Sequence, residues 1–200
     1  MSALLDVEGL SVAYGAAPVV ADVSFTLGRE KLGIVGQSGA GKSSVGRALL
    51  GLLGLRASVS VKRLAFDRRD MSLAELARLR GDRLAMILQD ARHALNPVMT
   101  VGAQIAETLR RHRGVRGPAL REAGLALLDS VHVGDPARVW QAYPRELSGG
   151  LGQRAMIAMM LAPDPALLIA DEPTSALDVI ARERVLAELD AQVQARGMGL

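Results

Sequence analysis

Eight consecutive residues early in the chain have the types and spacing of a phosphate-binding loop. They are Gly36, Gln37, Ser38, Gly39, Ala40, Gly41, Lys42 and Ser43, and they match G-x-x-x-x-G-K-[ST] in full. Glycines let the backbone turn so that successive N–H groups point at phosphate oxygens. Lys42 brings a mobile positive charge to the phosphates, while Ser43 offers a hydroxyl to Mg²⁺ and Ser44 another to phosphate. A chance glycine turn is the alternative, but the flanking strand and helix favour the phosphate loop.

Two acids later in the chain supply the second half of such a site. Asp171 and Glu172 directly follow the apolar run Leu167–Ala170. We expect Asp171 to hold Mg²⁺, directly or through water, and Glu172 to polarise the water that attacks the γ-phosphate. Adjacent acids after an apolar strand can also be a solvated strand end. Their combination with the phosphate loop favours the catalytic interpretation.

A further anion site is predicted where a later helix begins. Ser148, Gly149 and Gly150 stand at the start of a helix that runs to Leu161, and a helix N-terminus attracts anions. These groups cannot easily reach a phosphate that residues 39–43 of the same chain already hold. A second copy or a homologous partner therefore makes sense as the source of that phosphate. The alternative is an ordinary helix capped by Ser148.

The elements before and after the phosphate loop follow from hydrophobic periodicity. Two strands, Leu4–Val12 and Val19–Leu27, flank a turn at Tyr14 and Gly15. The short apolar run Lys31–Val35 is predicted to be a buried central strand that leads into the loop. A helix over Lys42–Leu53 follows the loop, and a third strand over Val59–Phe66 comes next.

The rest of the chain continues the alternation of strands and helices, which indicates a mostly parallel α/β sheet. The predicted helices are Leu73–Leu79 and Asp178–Ala195, and the predicted strands are Arg83–Gln89 and Ala166–Ala170. Between them, residues 100–141 have helical patterns over Val101–Arg111 and Ala119–Ser130. We interpret this region as an inserted helical subdomain, for which lone Trp140 is a packing anchor.

Composition excludes several classes of protein. Half of the 200 residues are hydrophobic and only 2% are aromatic, so the core must be aliphatic and disorder is ruled out. Zero cysteines exclude disulfides and zinc thiolate sites in this stretch. Lys+Arg 24 against Asp+Glu 21 gives a net charge of +3, which is too small to demand nucleic acid. No apolar stretch approaches the ~20 residues of a membrane span.

With these motifs in place, the chain resembles the ATP-binding-cassette (ABC) family. Leu147, Ser148, Gly149 and Gly150, followed by Gln153 and Arg154, are similar to the signature motif of that family. The order of the motifs is also that of the family: Tyr14, the phosphate loop, Gln89, the signature, Asp171 and Glu172, then residues 175–178.

The resemblance implies an α/β fold with a P-loop NTPase (RecA-like) core, an N-terminal antiparallel β subdomain and an inserted helical subdomain. It implies that two such domains sandwich two ATP molecules head to tail, each nucleotide touching the phosphate loop of one chain and the signature of the other. ATP and Mg²⁺ are the implied ligands. Tyr14 would stack on adenine, Gln89 would reach Mg²⁺ and the attacking water, and Gln153 would belong to the nucleotide-contacting signature.

Several of these residues have an ordinary structural alternative. Tyr14 also suits a half-buried turn, Gln89 an exposed strand end, and Asp178 a helix N-cap. In the family, the position of Asp178 belongs to the loop that crosses to the partner, and this residue can serve both roles.

A narrower resemblance concerns the segments Leu95–Gly102, Gln104–Ile105 and Tyr143–Glu146. They are similar to the ATPase subunits of bacterial di- and oligopeptide importers, a branch that includes nickel importers. The resemblance implies an ATP-hydrolysing importer subunit that works with a second ABC subunit, homo- or heteromeric, and with membrane permease subunits. An extracytoplasmic solute-binding protein takes part indirectly, and no nucleic acid is expected. Such a subunit lies at the cytoplasmic face of the bacterial inner membrane as a peripheral protein.

The family pattern extends beyond Leu200, to a strand that ends in a histidine, and this chain does not match that position. We therefore expect residues 1–200 to form a single nucleotide-binding domain lacking its C-terminal end, with the helical insertion at about residues 90–155. Three functions stay open: a transport ATPase for peptides, or for nickel in the alternative; a nucleotide-binding module with impaired hydrolysis; and a soluble relative acting on DNA or ribosomes. The last usually carries a long coiled coil or two cassettes, and neither is evident here.

Overall fold

The computed structural model of the protein describes residues 3–88, 94–174 and 179–200. The chain divides into two compact units, one within residues 1–80 and 197–200 and the other within residues 81–196. Each unit has its own sheet and its own buried aliphatic side chains. The mixture of an antiparallel sheet with a parallel pair and helices confirms the predicted α/β class, but the pairings of the described strands are mostly antiparallel and not mostly parallel as expected.

The sheet of the first unit is built around its first strand. Strand β1 (Leu5–Tyr14) pairs antiparallel with β2 (Ala17–Leu27), β3 (Ala57–Ser60) and β4 (Arg63–Phe66), and β5 (Arg69–Asp70) pairs with β4. The buried positions of β1 are apolar and recur largely at every second residue, as expected for a strand with one face on the core. The predicted N-terminal antiparallel sheet is thereby confirmed.

The third predicted strand, Val59–Phe66, lies on β1 but is interrupted at residues 61 and 62. Its first half, β3, pairs with the end of β1 around Ala13, whereas its second half, β4, pairs with the start of β1 around Asp6. Both halves keep a single register with β1, since Ser60 pairs with Ser11 and Arg63 pairs with Glu8. The pairing is interrupted only between Ser60 and Arg63, opposite Gly9, whose φ of 68° is left-handed, and there the Lys62 N–H donates to the Glu8 carbonyl at 2.9 Å.

Helix α1 (Lys42–Leu49) ends earlier than the predicted Leu53. Gly51 adopts a left-handed φ of 63°. Its N–H donates to the Ala48 carbonyl at 3.1 Å, and the Leu52 N–H donates to the Arg47 carbonyl at 2.8 Å. This pair of hydrogen bonds is the Schellman motif, in which a left-handed glycine satisfies the last carbonyls of a helix. A second helix, α2 (Leu73–Arg78), matches its prediction closely.

The apolar run before the phosphate loop is not the buried strand that we predicted. The side chains of Leu32, Ile34 and Val35 are 40%, 47% and 93% exposed. The Leu200 N–H donates to the Glu30 carbonyl at 2.9 Å, and the Leu32 N–H donates to the Leu200 carbonyl at 2.8 Å. These two bonds follow the pattern of a parallel pair, but so short a pairing covers too little of the run to bury its side chains.

Three helices of the second unit pack together around Trp140. They are α3 (Val101–Arg113), α4 (Ala119–Ser130) and α5 (Pro136–Gln141). The bounds of α4 are those predicted, and α5 was missed. Asp135 caps α5 by accepting a hydrogen bond from the Arg138 N–H at 3.0 Å. The indole of Trp140 lies against Gly102 of α3 and Gly124 of α4, which agrees with its predicted role as an anchor.

The parallel pair of the second unit joins β6 (Leu84–Ile87) to β7 (Leu167–Ala170) in the register Leu84 to Leu167. Both strands consist of apolar residues, as in a parallel sheet covered by helices. Helix α6 (Gly149–Leu161) contacts β6. Helix α7 (Val179–Arg196) is tied to the end of α4 because the Gln192 amide donates to the Ser130 carbonyl at 2.8 Å.

Candidate functional site

Two glycines give the phosphate loop its shape. Gly39 and Gly41 have left-handed φ values of 80° and 88°, a backbone conformation that L side chains rarely adopt. A Cβ atom at Gly41 would also lie 2.8 Å from the Val19 carbonyl oxygen and 2.9 Å from Val20 Cγ2. Only glycine at this position lets the loop lie so close to β2. By contrast, a Cβ atom at Gly39 would meet nothing within 4 Å.

The cation of the loop folds back over the backbone that precedes it. Lys42 Nζ donates to the carbonyl oxygens of Gly36 and Gln37, both at 2.9 Å. Both acceptors are neutral, so neither balances the positive charge of Lys42, and an anion would attract it strongly. The Ala40 N–H donates to the Gln37 carbonyl at 3.2 Å, which closes the turn of the loop.

The start of α1 keeps its positive electrostatic potential. Gly41 is its N-cap and provides no side-chain hydrogen bond, and the first turn contains no acidic residue. Ser43 and Ser44 lie in that turn, half-buried. Such a helix start attracts anions through its N–H groups and its dipole, and the two hydroxyls add donors beside them.

A groove borders the loop within the first unit. It has a volume of about 490 Å³ and is lined by Val19, Val20 and Phe25 of β2, by Ile34, and by Gly41 and Lys42. Its walls are largely aliphatic, while Lys42 places a charge at the loop. Tyr14 ends β1 at the turn to β2, where the residue is 41% exposed.

The two acids lie at the end of β7 in the second unit. Asp171 is buried, and its N–H donates to the Ile87 carbonyl at 3.0 Å, which extends the pairing of β6 with β7. Glu172 is exposed and has a left-handed φ of 46°. A positive φ is uncommon for a non-glycine residue and marks a conformation that the surroundings must hold in place.

The predicted signature begins helix α6. Ser148 is its N-cap, and the Ser148 hydroxyl accepts a long hydrogen bond of 3.4 Å from the Leu151 N–H. Ser148 and Gly149 are exposed, and a Cβ atom at Gly149 or Gly150 would meet nothing within 4 Å. The first turn of α6 contains no acidic residue either. This helix start can accept an anion from outside the chain.

One contact of the signature helix was not predicted. Gln153 is 4% exposed, and its amide donates to the Pro173 carbonyl at 2.6 Å. The structure thus gives Gln153 a partner in its own chain, beside Glu172. The signal was present in the sequence, because a glutamine among the apolar residues of α6 needs a hydrogen-bond partner when it is buried.

Two predicted features lie outside the described residues. They are Gln89, which was expected to reach Mg²⁺, and the segment 175–178 with Asp178. In the described part of the chain, no three His, Cys, Asp or Glu side chains come together as a metal site. Over the same ranges, no helix is both long enough and apolar enough to cross a bilayer.

Comparison with known proteins defines the class. The family model of the ABC transporter matches residues 20–175, and the chain belongs to this family. It is 45% identical over 191 residues to a putative peptide import ATP-binding protein of Brucella abortus, and this match covers 92% of the chain and 58% of the relative. It is 42% identical over 206 residues to the dipeptide transport ATP-binding protein DppD of Escherichia coli, covering 99% and 63%. The chain thus spans about three fifths of the length of these relatives.

Solved structures confirm the fold. The chain superposes on cbiO1 of Clostridium perfringens with a TM-score of 0.79 and 22% identity, covering 100% of the chain and 77% of that protein. It superposes on the ATP-binding cassette MJ0796 with a TM-score of 0.78 and 22% identity, covering 98% and 85%. The predicted P-loop NTPase fold is therefore correct.

Proposed function

We propose that the chain binds ATP with Mg²⁺ and hydrolyses it as a subunit of an ABC importer for peptides or a related small solute. The observation that carries this proposal is the phosphate loop. Gly41 is required there by its left-handed φ and by its close packing against Val19, and Lys42 Nζ donates to two neutral carbonyls that a phosphate can replace. The membership of the family and the names of the relatives support it.

In this proposal the residues of the first unit bind the nucleotide. The loop from Gly36 to Ser43, with Ser44, wraps the phosphates, and Lys42 exchanges its two carbonyl partners for phosphate oxygens. Tyr14 stacks on adenine, which its exposed ring permits. The aliphatic groove beside the loop excludes water from one side of the phosphates, and this strengthens the attraction by Lys42.

The residues that would hold Mg²⁺ are Ser43, Asp171 and Gln89. A hydroxyl, one carboxylate and an amide suit Mg²⁺, because this ion keeps several waters and takes its remaining ligands from substrate phosphates. The bound ion would neutralise charge that develops on the phosphates. Glu172 orients the attacking water and accepts its proton, while the water oxygen bonds to the γ-phosphorus and the bond to the β–γ bridging oxygen breaks to release ADP.

A second ABC subunit, identical or homologous, completes the site. Ser148, Gly149 and Gly150 present an open helix start that bears no acid, and in the proposed dimer they contact the nucleotide held by the partner. Helices α3 to α5 belong to a helical insertion at about residues 90–155 that meets the permease subunits. The protein would then act as a peripheral subunit at the cytoplasmic face of the membrane, with a solute-binding protein delivering peptide on the other side.

The experiment compares three variants of the native protein. Lys42→Ala is expected to abolish binding of a fluorescent ATP analogue, whereas Lys62→Ala, which removes a surface lysine paired with Asp22 at 2.6 Å, should leave binding intact. Glu172→Gln should still bind ATP, with turnover lowered by about 10²–10⁴-fold, and should accumulate as a closed dimer on gel filtration. Tight ATP binding by Lys42→Ala, or wild-type turnover by Glu172→Gln, would contradict the proposal.

Co-purification with nucleic acid instead of permease subunits would favour the DNA-acting alternative.

A further inference from the structure

The backbone at Glu172 is held in an unfavourable conformation. Its φ of 46° is left-handed, and the residue that follows is Pro173. Proline disfavours helical conformations in the residue before it and pushes that residue toward extended backbone. Both its positive φ and the following proline therefore favour a change of Glu172 to extended backbone, and contacts around it must prevent this change.

Two hydrogen bonds flank the strained residue. On its N-terminal side, the Asp171 N–H donates to the Ile87 carbonyl at 3.0 Å and continues the β-ladder. On its C-terminal side, the Gln153 amide donates to the Pro173 carbonyl at 2.6 Å. The donor is almost wholly buried and lies in the second turn of a helix that contacts β6, so it has little freedom to follow the loop if the loop moves.

We infer that Gln153 is a positioning residue for Glu172, in place of the nucleotide contact predicted for it. Its amide fixes the Pro173 peptide group, and this keeps Glu172 left-handed and its carboxylate where the attacking water needs it. Loss of the donor removes the restraint on the C-terminal side of Glu172 and favours its rotation toward the extended conformation that a following proline prefers. The inference rests on the proposed function, since it assigns how the catalytic carboxylate of that function is held.

The perturbation is Gln153→Met, which removes the donor while keeping an unbranched side chain of similar length that packs well in a core. Gln153→Glu, which keeps the shape, is the second variant. Gln192→Met is the matched control, because Gln192 is also a buried glutamine of the second unit whose amide donates to a backbone carbonyl, that of Ser130. Thermal unfolding of all three variants reports whether each is folded.

Steady-state ATPase kinetics of the native protein and its variants are then measured. Displacement of a catalytic group lowers the rate of the chemical step but leaves the binding of the substrate in its ground state unchanged. We expect kcat of Gln153→Met to fall by about 10- to 100-fold, KM to stay within about 2-fold, and Gln192→Met to keep the wild-type kcat. Because Gln153 acts through Glu172, adding Gln153→Met to Glu172→Gln should cause no further loss.

Three outcomes overturn the inference. A wild-type kcat in folded Gln153→Met, beside an inactive Lys42→Ala, refutes the positioning role and leaves the proposed function standing. A further 10-fold loss in the double variant means that Gln153 acts elsewhere. If the wild-type protein shows no ATPase activity that depends on Lys42, the proposed function fails, and the inference fails with it.

Discussion

Replacement of Gly124 by alanine tests the packing of the three helices around the single tryptophan. A Cβ atom at this position in α4 would lie 1.9 Å from Trp140 Cζ3 and 2.5 Å from Cη2. Ordinary contact begins at 3.4 Å, so the helix or the indole must move by about 1.5 Å. The indole cannot escape toward α3, because Gly102 approaches its other atoms so closely that a Cβ there would lie 2.4 Å from Cδ2.

The magnitude follows from two opposing effects. Alanine is the better helix former by about 1 kcal/mol, which stabilises the variant. Overpacking of a filled interior costs about 1–3 kcal/mol, and the rigid indole on both sides puts this site at the upper end. We therefore expect Gly124→Ala to lower the free energy of unfolding by about 1–2 kcal/mol. At about 2–4 °C per kcal/mol for a chain of this size, the melting temperature should fall by about 2–8 °C.

The assay is urea unfolding followed by far-UV circular dichroism. Tryptophan emission supplements it, because the chain has one Trp and its signal reports this site directly. In a Trp140→Phe background the outer atoms Cζ3 and Cη2 are gone, so Gly124→Ala should become neutral or stabilising. Gly134→Ala is the control, since a Cβ there meets nothing within 4 Å, and it should change stability by less than about 0.5 kcal/mol. Equal losses from Gly124→Ala in both backgrounds would refute the overlap with the indole.

Two further predictions concern the loop and a helix start of the first unit. Gly41→Ala should lose ATP binding and should have a lower melting temperature than Gly39→Ala. Both positions have a left-handed φ, but only at Gly41 would the added Cβ also clash with the Val19 carbonyl. Equal melting temperatures would contradict this. The pKa of Glu75 is lowered by hydrogen bonds from the Ser72 backbone and hydroxyl. Its contribution to stability is complete above the ordinary glutamate pKa and is lost as pH falls through the lower folded pKa. The melting temperature of the wild type should therefore exceed that of Glu75→Gln by less at acidic pH than at neutral pH. A difference that became larger at acidic pH would contradict the lowered pKa of Glu75.

Local chemistry explains which features could be predicted. The phosphate loop, the start of α1 at Lys42, the cap at Ser148 and the bounds of α4 all depend on residues within a few positions of one another. Glycine conformation, capping and helical periodicity are encoded at that range. These features could therefore be derived from the sequence before any tertiary contact was known.

The features that were missed depend on contacts between distant residues. The interruption of Val59–Phe66 at residues 61 and 62 lies opposite Gly9 of β1, whose left-handed φ of 68° disturbs the partner strand. The contact of Gln153 with Pro173 spans 20 positions. The exposure of Leu32 and Val35 depends on what pairs with that run and not on its own apolar character. Sequence periodicity identifies an apolar run but does not identify its neighbours.

The described helix starts also differ in a way that bears on function. Helices α2 and α5 begin with acids of their own, since Glu75 and Asp135 accept hydrogen bonds at those starts, and these carboxylates would repel an incoming anion. Helices α1 and α6 combine an acid-free first turn with an exposed glycine at or just before the helix start, Gly39 and Gly149 respectively. Helix α3 also lacks an acid there, but it begins at the fully buried Val101. Of α1, α2, α3, α5 and α6, only α1 and α6 thus offer a phosphate both charge and access, and they are the two starts that the proposed dimer requires on either side of one nucleotide.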